Sequence, residues 1–346
     1  MDASHPALHS LVSASLGPER ATTLLDGLDL HPALLEPAAS AERVPRAVLA
    51  QALGAVLMDD LLRRVPSGAA YVADRTAGGG RVHLDHGAVR TVTGVDCGAL
   101  PPGQAGVTRA LVALGYAHRY TYDLARLGMT GRSWCHLDLP ADVPQYFVSE
   151  LHAERFSEAF RAAAGRVLAT SRDPLAGAGG DLDELERTGS LPMERARAVL
   201  PALVACFDRH HDDPGLADYE ALLAESEEMA WIATEGTAFN HATDRVDDVV
   251  ALAEAERAAG RPIKDSVEVS ASGTILQTAH RAAMVERSFR GDDGPVVRTV
   301  PGSFFEFITR RPRPDGSGID LAFDAANAQQ IFTMTRRVPA AGATGG

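Results

Sequence analysis

A chain of 346 residues with 45% hydrophobic and 23% charged side chains has the composition of an ordinary globular protein, long enough for two domains or for one domain of two similar halves. Its formal net charge of -13, without a long lysine or arginine block, argues against nucleic acid as a partner. The cysteines, Cys97, Cys135 and Cys206, lie without close pairing, which excludes a disulfide scaffold or zinc knuckle and points to a reducing cytoplasm.

The first residues, Met1-Asp2-Ala3-Ser4-His5-Pro6, lack the basic region and apolar run of a signal peptide. No stretch has the length and apolarity of a membrane span, so no membrane partner is expected. Residues 7 to 67 read as helices. Leu8, Leu11, Val12 and Leu16 follow helical spacing. A stronger helix is predicted from about Arg46 to Arg64, with Leu49, Leu53, Val56, Leu57 and Leu61 on its apolar side and Pro45 at its start. Pro66-Ser67-Gly68 and Gly78-Gly79-Gly80 read as breaks, and without a Gly-Lys-Ser/Thr ending the glycines predict a turn rather than a phosphate cradle.

A strand is expected from Val82 to Val92. Its even spacing puts His86 and Arg90 on one face, roughly 13 Å apart if the strand is regular, and closer if Gly87 marks a bend or bulge. Turns follow at Asp96-Cys97-Gly98 and Pro101-Pro102-Gly103, then a helix over 105–115 and strands over 117–124, 133–139 and 145–149, the last reaching Glu150. Residues 151–231 read as mainly helical, with a glycine-rich loop at 175–180. Charged neighbours predict solvated roles for His152, His210 and His211. The earlier order then returns: a strand over 236–242, a helix over 245–259 ended by Gly260, and strands near 266–270, 274–278, 283–289 and 302–309.

Two such units side by side can curve one sheet around a pocket. The expected fold is α+β, with paired β-α-β-β-β modules around a metal site and additional helices. The partition is an N-terminal helical cap (1–75), a first module (76–150), a helical insertion or linker (151–231), a second module (232–335) and a flexible tail (336–346). Element order carries this pairing; no sequence identity between the halves is used.

Glu306 interrupts the apolar run Phe304-Phe305-Glu306-Phe307-Ile308. A buried carboxylate there needs a cation, a hydrogen-bond network or a metal, whereas on a wet face it is unremarkable. His86 and His241 fall on the first strands of the two units, and each alone suits a structural role. Together the three suit a facial triad for Fe(II), although zinc and manganese accept the same atoms. Glu150 lies past its apolar run. Arg90 can clamp a substrate carboxylate or pair with Asp85, Asp96 or another acid.

These residues carry a resemblance. Asp85-His86-Gly87-Ala88-Val89-Arg90-Thr91, Phe147-Val148-Ser149-Glu150-Leu151, Asn240-His241-Ala242-Thr243, Leu276-Gln277-Thr278, Pro301-Gly302-Ser303-Phe304-Phe305-Glu306-Phe307 and Asn327-Ala328 occur in an order that resembles the 2-oxoadipate dioxygenase/decarboxylase family. The resemblance implies a vicinal-oxygen-chelate-like fold, Fe(II) on His86, His241 and Glu306, and Arg90 on the substrate carboxylate. It implies a 2-oxo acid and dioxygen as reactants, 2-oxoadipate giving 2-hydroxyglutarate and carbon dioxide, with a place in lysine catabolism. The residues themselves leave open a different metal-dependent dioxygenase, an isomerase or lyase on another small acid, and a non-enzymatic small-molecule binder.

Overall fold

The computed structural model describes residues 6–35 and 42–324; the Asn327-Ala328 motif and the expected flexible tail 336–346 lie outside the described residues. Helices α1 (Pro6–Leu16) and α2 (Pro18–Asp26) precede the short strand β1 (Arg43–Pro45). Pro45 then caps α3 (Arg46–Arg64), whose long Ala, Val and Leu run is buried on nearly every side. It is a core helix rather than an amphipathic cover. Helix α4 (Pro66–Ala77) occupies the stretch that Pro66-Ser67-Gly68 predicts as a break. Pro66 stands in the first turn, where its missing N–H has no helical partner to lose. Gly68 lets the helix lie against Phe305, whose side chain a Cβ would meet at 2.9 Å.

The first unit comprises β2 (Leu84–Thr93), α5 (Ala105–Ala113), β3 (Tyr116–Leu124), β4 (Met129–His136) and β5 (Gln145–His152). A helical stretch follows: α6 (Glu158–Leu168), α7 (Gly179–Thr188), α8 (Met193–Ala205), α9 (Leu216–Glu225) and α10 (Glu227–Glu235). It contains β6 (Ser190–Pro192), which pairs with β1, a contact no local pattern announces. His211 is buried rather than solvated. Burial lowers its pKa, and the Asp212 and Ile232 carbonyl oxygens lie 2.9 and 3.2 Å from its ring nitrogens.

The second unit comprises β7 (His241–Arg245), α11 (Val249–Ala258), β8 (Glu268–Val269), β9 (Ile275–Ala279) and β12 (Phe304–Arg310). Between the last two, β10 (Met284–Gly291) and β11 (Gly294–Pro301) form a separate ribbon, where only one strand is predicted. The predicted strand over 236–242 begins instead at His241, because Gly236, with φ 66°, ends α10 and a connection follows. Helix α11 likewise begins at Val249: Asp248 accepts hydrogen bonds from the amides of Val250 and Ala251, an N-cap that stops the helix reaching back to Arg245.

The main sheet has eight strands in the order β3-β4-β5-β2-β7-β12-β9-β8 and curls into a half-barrel. Each unit supplies four strands, and the units meet where β2 runs antiparallel to β7. Within each unit the last strand lies parallel to the first, β5 beside β2 and β12 beside β7. One apolar cluster, including Val89, Tyr146, Val148, Phe305 and Phe307, packs the outer face against α3 and its neighbours. A second, including Ala88, Phe147, Phe160, Met229 and Trp231, fills the inner face of the first unit under α6 and α10. Among the described residues no helix is long and apolar enough to cross a membrane.

The register of β2 on β7 shifts between Leu84 and His86, not at Gly87. Gly87 serves a close approach: a Cβ there would stand 2.0 Å from the Phe239 ring and 2.8 Å from the His241 carbonyl oxygen. Gly87→Ala is therefore expected to destabilise the protein by about 1–3 kcal/mol or more, although alanine suits a strand better than glycine. Gly165→Ala in α6, where a Cβ meets nothing within 4 Å, is expected to gain up to about 1 kcal/mol. Denaturant midpoints of the two variants check the contrast.

Candidate metal centre

A row of four residues crosses the inner face at the junction of the units. Gln145 on β5 is the register partner of His86, His86 of Thr243, and Thr243 of Glu306. The adjacent row runs Phe147, Ala88, His241, Phe304. Register partners share a face and alternate residues return to it. His86, His241 and Glu306 therefore project into one space despite their separation along the chain.

All three are buried, and their ligand atoms lie within 4.8 Å of one another. Glu306 Oε2 stands 3.1 Å from His86 Nε2 and 3.2 Å from His241 Nε2. Two ligands held about 2.1 Å from one ion at a right angle stand about 3 Å apart, so these separations fit a shared ion. Glu306 Oε1 and His241 Nδ1 are buried without a hydrogen-bond partner, and His241 Nε2 has only the poorly aligned approach of Glu306 Oε2. Leaving such atoms unmatched costs about 1–3 kcal/mol each, which a cation at the centre would offset for Glu306 Oε1 and for the one His241 nitrogen it binds. Thr243 Oγ1 donates to Glu306 Oε2 at 2.8 Å and turns that carboxylate. Phe304 stacks on His241 with ring centroids 4.8 Å apart, and Phe323 meets His86 edge-on at 4.7 Å.

The charges behind the triad are arranged in depth. At the register shift Asp85 joins His86 on the same side, and its Oδ1 accepts from His86 Nδ1 at 2.7 Å. Arg245 donates to Asp85 at 2.6 Å, and Arg310 donates from Nε and Nη2 at 2.9 Å each. Burial would raise the Asp85 pKa, yet Arg310 and Arg245 hold it well below the usual carboxylate range. Burial would also raise that of Glu306, but His241 and His86 drive it down. His86 is pushed the other way: burial opposes its protonation, and hydrogen bonds to Asp85 and Glu306 raise its pKa. Burial lowers the pKa of His241 and favours the neutral imidazole a metal requires.

Arg90 lies on the same face, two residues beyond Ala88. It pairs with neither Asp85 nor Asp96. Its guanidinium stands 2.8 Å from Glu228 and 4.5 Å above the Trp231 ring, both on α10. With the Asn240 amide turned so that its oxygen faces the guanidinium, Arg90 also donates to it at 3.1 and 3.2 Å. Glu150 lies on the opposite face, accepting from the Gln104 amide at 2.8 Å and from Arg132 at 3.1 Å.

Sequence reasoning singled out His86, His241, Glu306 and Arg90 but missed Asp85, Thr243, Glu228 and Arg310. One signal was present. His86-Gly87-Ala88-Val89-Arg90 and His241-Ala242-Thr243-Asp244-Arg245 repeat a His-x-x-x-Arg spacing on the first strands of the two units. The repeat places Arg245 as the counterpart of Arg90, one arginine supporting Asp85 and the other facing α10.

The family model described as 2-oxoadipate dioxygenase/decarboxylase matches residues 57–332. Among solved structures, a glyoxalase superfamily protein from Ralstonia eutropha JMP134 is 52% identical, with a TM-score of 0.88, covering 93% of this chain and 99% of that one. Hydroxyglutarate synthase from Oryza sativa in complex with 2-oxoadipate is 20% identical, with a TM-score of 0.66 and coverage of 87% and 96%. The Pseudomonas putida hydroxyglutarate synthase in complex with 2-oxoadipate is 19% identical, with a TM-score of 0.62 and coverage of 86% and 74%. At such identities the two synthases show likeness of fold alone. No curated protein matches the chain.

Asp85 matters here because a carboxylate on the far nitrogen of a ligand histidine fixes its ring and raises its basicity. Asp85→Asn is expected to weaken binding of a divalent first-row metal by about 10–100-fold while far-UV circular dichroism stays unchanged. Competition titration against a chelator checks it.

Proposed function

The chain belongs to the 2-oxoadipate dioxygenase/decarboxylase family, an enzyme family, and on that footing we propose that it is an Fe(II)-dependent enzyme that oxidatively decarboxylates and hydroxylates a 2-oxo acid. The proposed reaction takes 2-oxoadipate and dioxygen to 2-hydroxyglutarate and carbon dioxide, which balances without a further reductant. The observation that carries it is the convergence of buried His86, His241 and Glu306, with atoms left unmatched, in a chain of this family.

His86, His241 and Glu306 would hold the metal, which when bound supplies a Lewis acid for the oxo acid and electrons for dioxygen. Asp85 holds the Nδ1 proton of His86, so the proton that Nε2 shares with Glu306 is the one a metal would displace. Thr243 orients Glu306. Phe304 and Phe323 cover the imidazoles and limit water near them. Arg90 would orient the acid through its carboxylate, since a guanidinium offers paired donors that an ammonium cannot match. Glu228 and Trp231 fix the guanidinium in place before the acid arrives. A second reading, a metal-dependent isomerase or lyase on another small acid, draws on the 52% identity to the glyoxalase superfamily protein.

Anaerobic loading with Fe(II), then addition of 2-oxoadipate and oxygen, tests both readings. The expected result is oxygen uptake with stoichiometric 2-hydroxyglutarate and carbon dioxide. Uptake without 2-hydroxyglutarate would sink the substrate assignment, and turnover without uptake would favour the isomerase or lyase. His86→Ala, His241→Ala and Glu306→Ala are each expected to abolish turnover and lower the bound metal while leaving the fold largely intact. Any one that kept full metal and normal turnover would leave the triad. Arg90→Lys is expected to keep its metal but raise the KM for the acid about 10–100-fold, reflecting loss of a charge-assisted bidentate contact. A KM equal to that of the unmodified protein would remove Arg90 from substrate binding.

A further inference from the structure

Gln145 is the fourth polar member of the row that contains His86, Thr243 and Glu306, and the metal-centre reading leaves it without a task. It is fully buried. As the register partner of His86 it lies one strand away, about 4.8 Å in the sheet, with its side chain on the ligand-bearing face. Its Oε1 lies 2.9 Å from the sulfur of Cys135, a contact in which the thiol donates. Burial raises the Cys135 pKa to about 11, so the thiol keeps its proton at neutral pH. With the thiol as donor, the oxygen end of the amide faces β4. The other end, Nε2 with two N–H donors, is buried without a hydrogen-bond partner.

The corresponding position of the second unit holds no amide. In the second unit the residue beside the histidine in register is Phe304, partner of His241 and stacked on its ring. The second unit thus places an apolar side chain beside its histidine, whereas the first buries two unmatched donors there. Buried donors are matched in the great majority of cases, and an exception is matched by a water, an ion or a ligand. On the other side of His86 the unmatched Oε1 of Glu306 and one nitrogen of His241 suit a cation. A ligand that brings oxygen atoms to that cation would place acceptors beside His86, within reach of an amide on the next strand.

We propose that Gln145 contacts the substrate, its side-chain amide donating to a carboxylate or oxo oxygen of a 2-oxo acid bound at the centre. The inference rests on the 2-oxo acid reading above. It gives the acid a neutral donor beside His86, apart from the cationic contact at Arg90. Cys135 is then a positioning residue, acting through the amide.

The test measures anaerobic binding of 2-oxoadipate by calorimetry to Fe(II)-loaded protein, together with metal affinity and the thermal midpoint. Gln145→Met removes both donors and keeps the length of the side chain. It is expected to bind 2-oxoadipate about ten-fold more weakly, the loss of roughly one net hydrogen bond, with metal affinity unchanged. Gln145→Glu retains an acceptor for the Cys135 thiol and so protects the fold if the methionine variant fails. Its carboxylate, set against the anionic acid, is expected to lower affinity at least as far. Equal 2-oxoadipate affinity in a folded variant would overturn the proposal, whether or not the thermal midpoint fell. If the unmodified protein bound no 2-oxoadipate, the substrate reading would fall and this contact with it. If that protein bound the acid and Gln145→Met bound it equally well, only the contact would fall.

Discussion

The antiparallel pairing of β2 with β7 is the constraint on which both the fold and the centre depend. It joins the two four-strand units into one sheet and sets His86 and His241 in neighbouring rows on one face. Because side chains alternate along a strand, a slip of one residue would send one histidine to the outer face, among the apolar side chains under α3. Gly87 protects the register at this seam. The Phe239 ring occupies the volume a side chain would need, so the two strands fit closely in this alignment. The parallel addition of β12 to β7 then brings Glu306 level with Thr243.

The inner face places a charged layer beside an apolar one. Asp85, Arg245 and Arg310 are largely or fully removed from water, an arrangement that costs more than it returns unless every charge is matched. Here the matching is extensive, and it ends on His86. Arg310 also donates to the carbonyl oxygens of Asp320 and Ala322 at 2.7 and 2.8 Å, and its guanidinium lies 5.2 Å from the Phe323 ring. The segment that lays Phe323 against His86 is thus tied to the same arginine that fixes Asp85. Support for the histidine and closure over it are parts of one hydrogen-bonded unit.

The two arginines at equivalent positions have different partners. Arg245 is spent on Asp85 and so on the orientation of His86, whereas Arg90 faces Glu228 and Trp231 on α10. A carboxylate that approaches Arg90 meets a guanidinium already oriented by a neighbouring acid and an aromatic face. Orientation is gained at the cost of competition from Glu228. A similar difference appears beside the histidines, where Phe304 stands in one unit and Gln145 in the other. The two halves of the site thus present different chemistry on their two flanks.

Local sequence determined a good deal. The apolar periodicity from Arg46 to Arg64 and the proline ahead of it specify a helix with those bounds. The strand around His86 and the carboxylate inside the Phe304–Ile308 run were legible because burying Glu306 among phenylalanines demands compensation. The family was legible from short motifs in order. Other features depended on partners far along the chain. Pro66 and Gly68 look like breakers in isolation, and only contact with Phe305 makes glycine useful inside α4. The ribbon of β1 with β6 and the burial of His211 depend on distant segments in the same way. Asp85 reads as an ordinary acid beside a histidine until the register shift on β7 and Arg310 show what holds it. Spacing placed Glu150 near the end of the first unit, but strand parity turns it to the outer face, while Gln145 enters the row of His86, Thr243 and Glu306. Sequence determines which side chains are available and which of them are costly to bury; register between strands decides which of them meet, because adding or removing one residue of offset exchanges the two faces of a sheet.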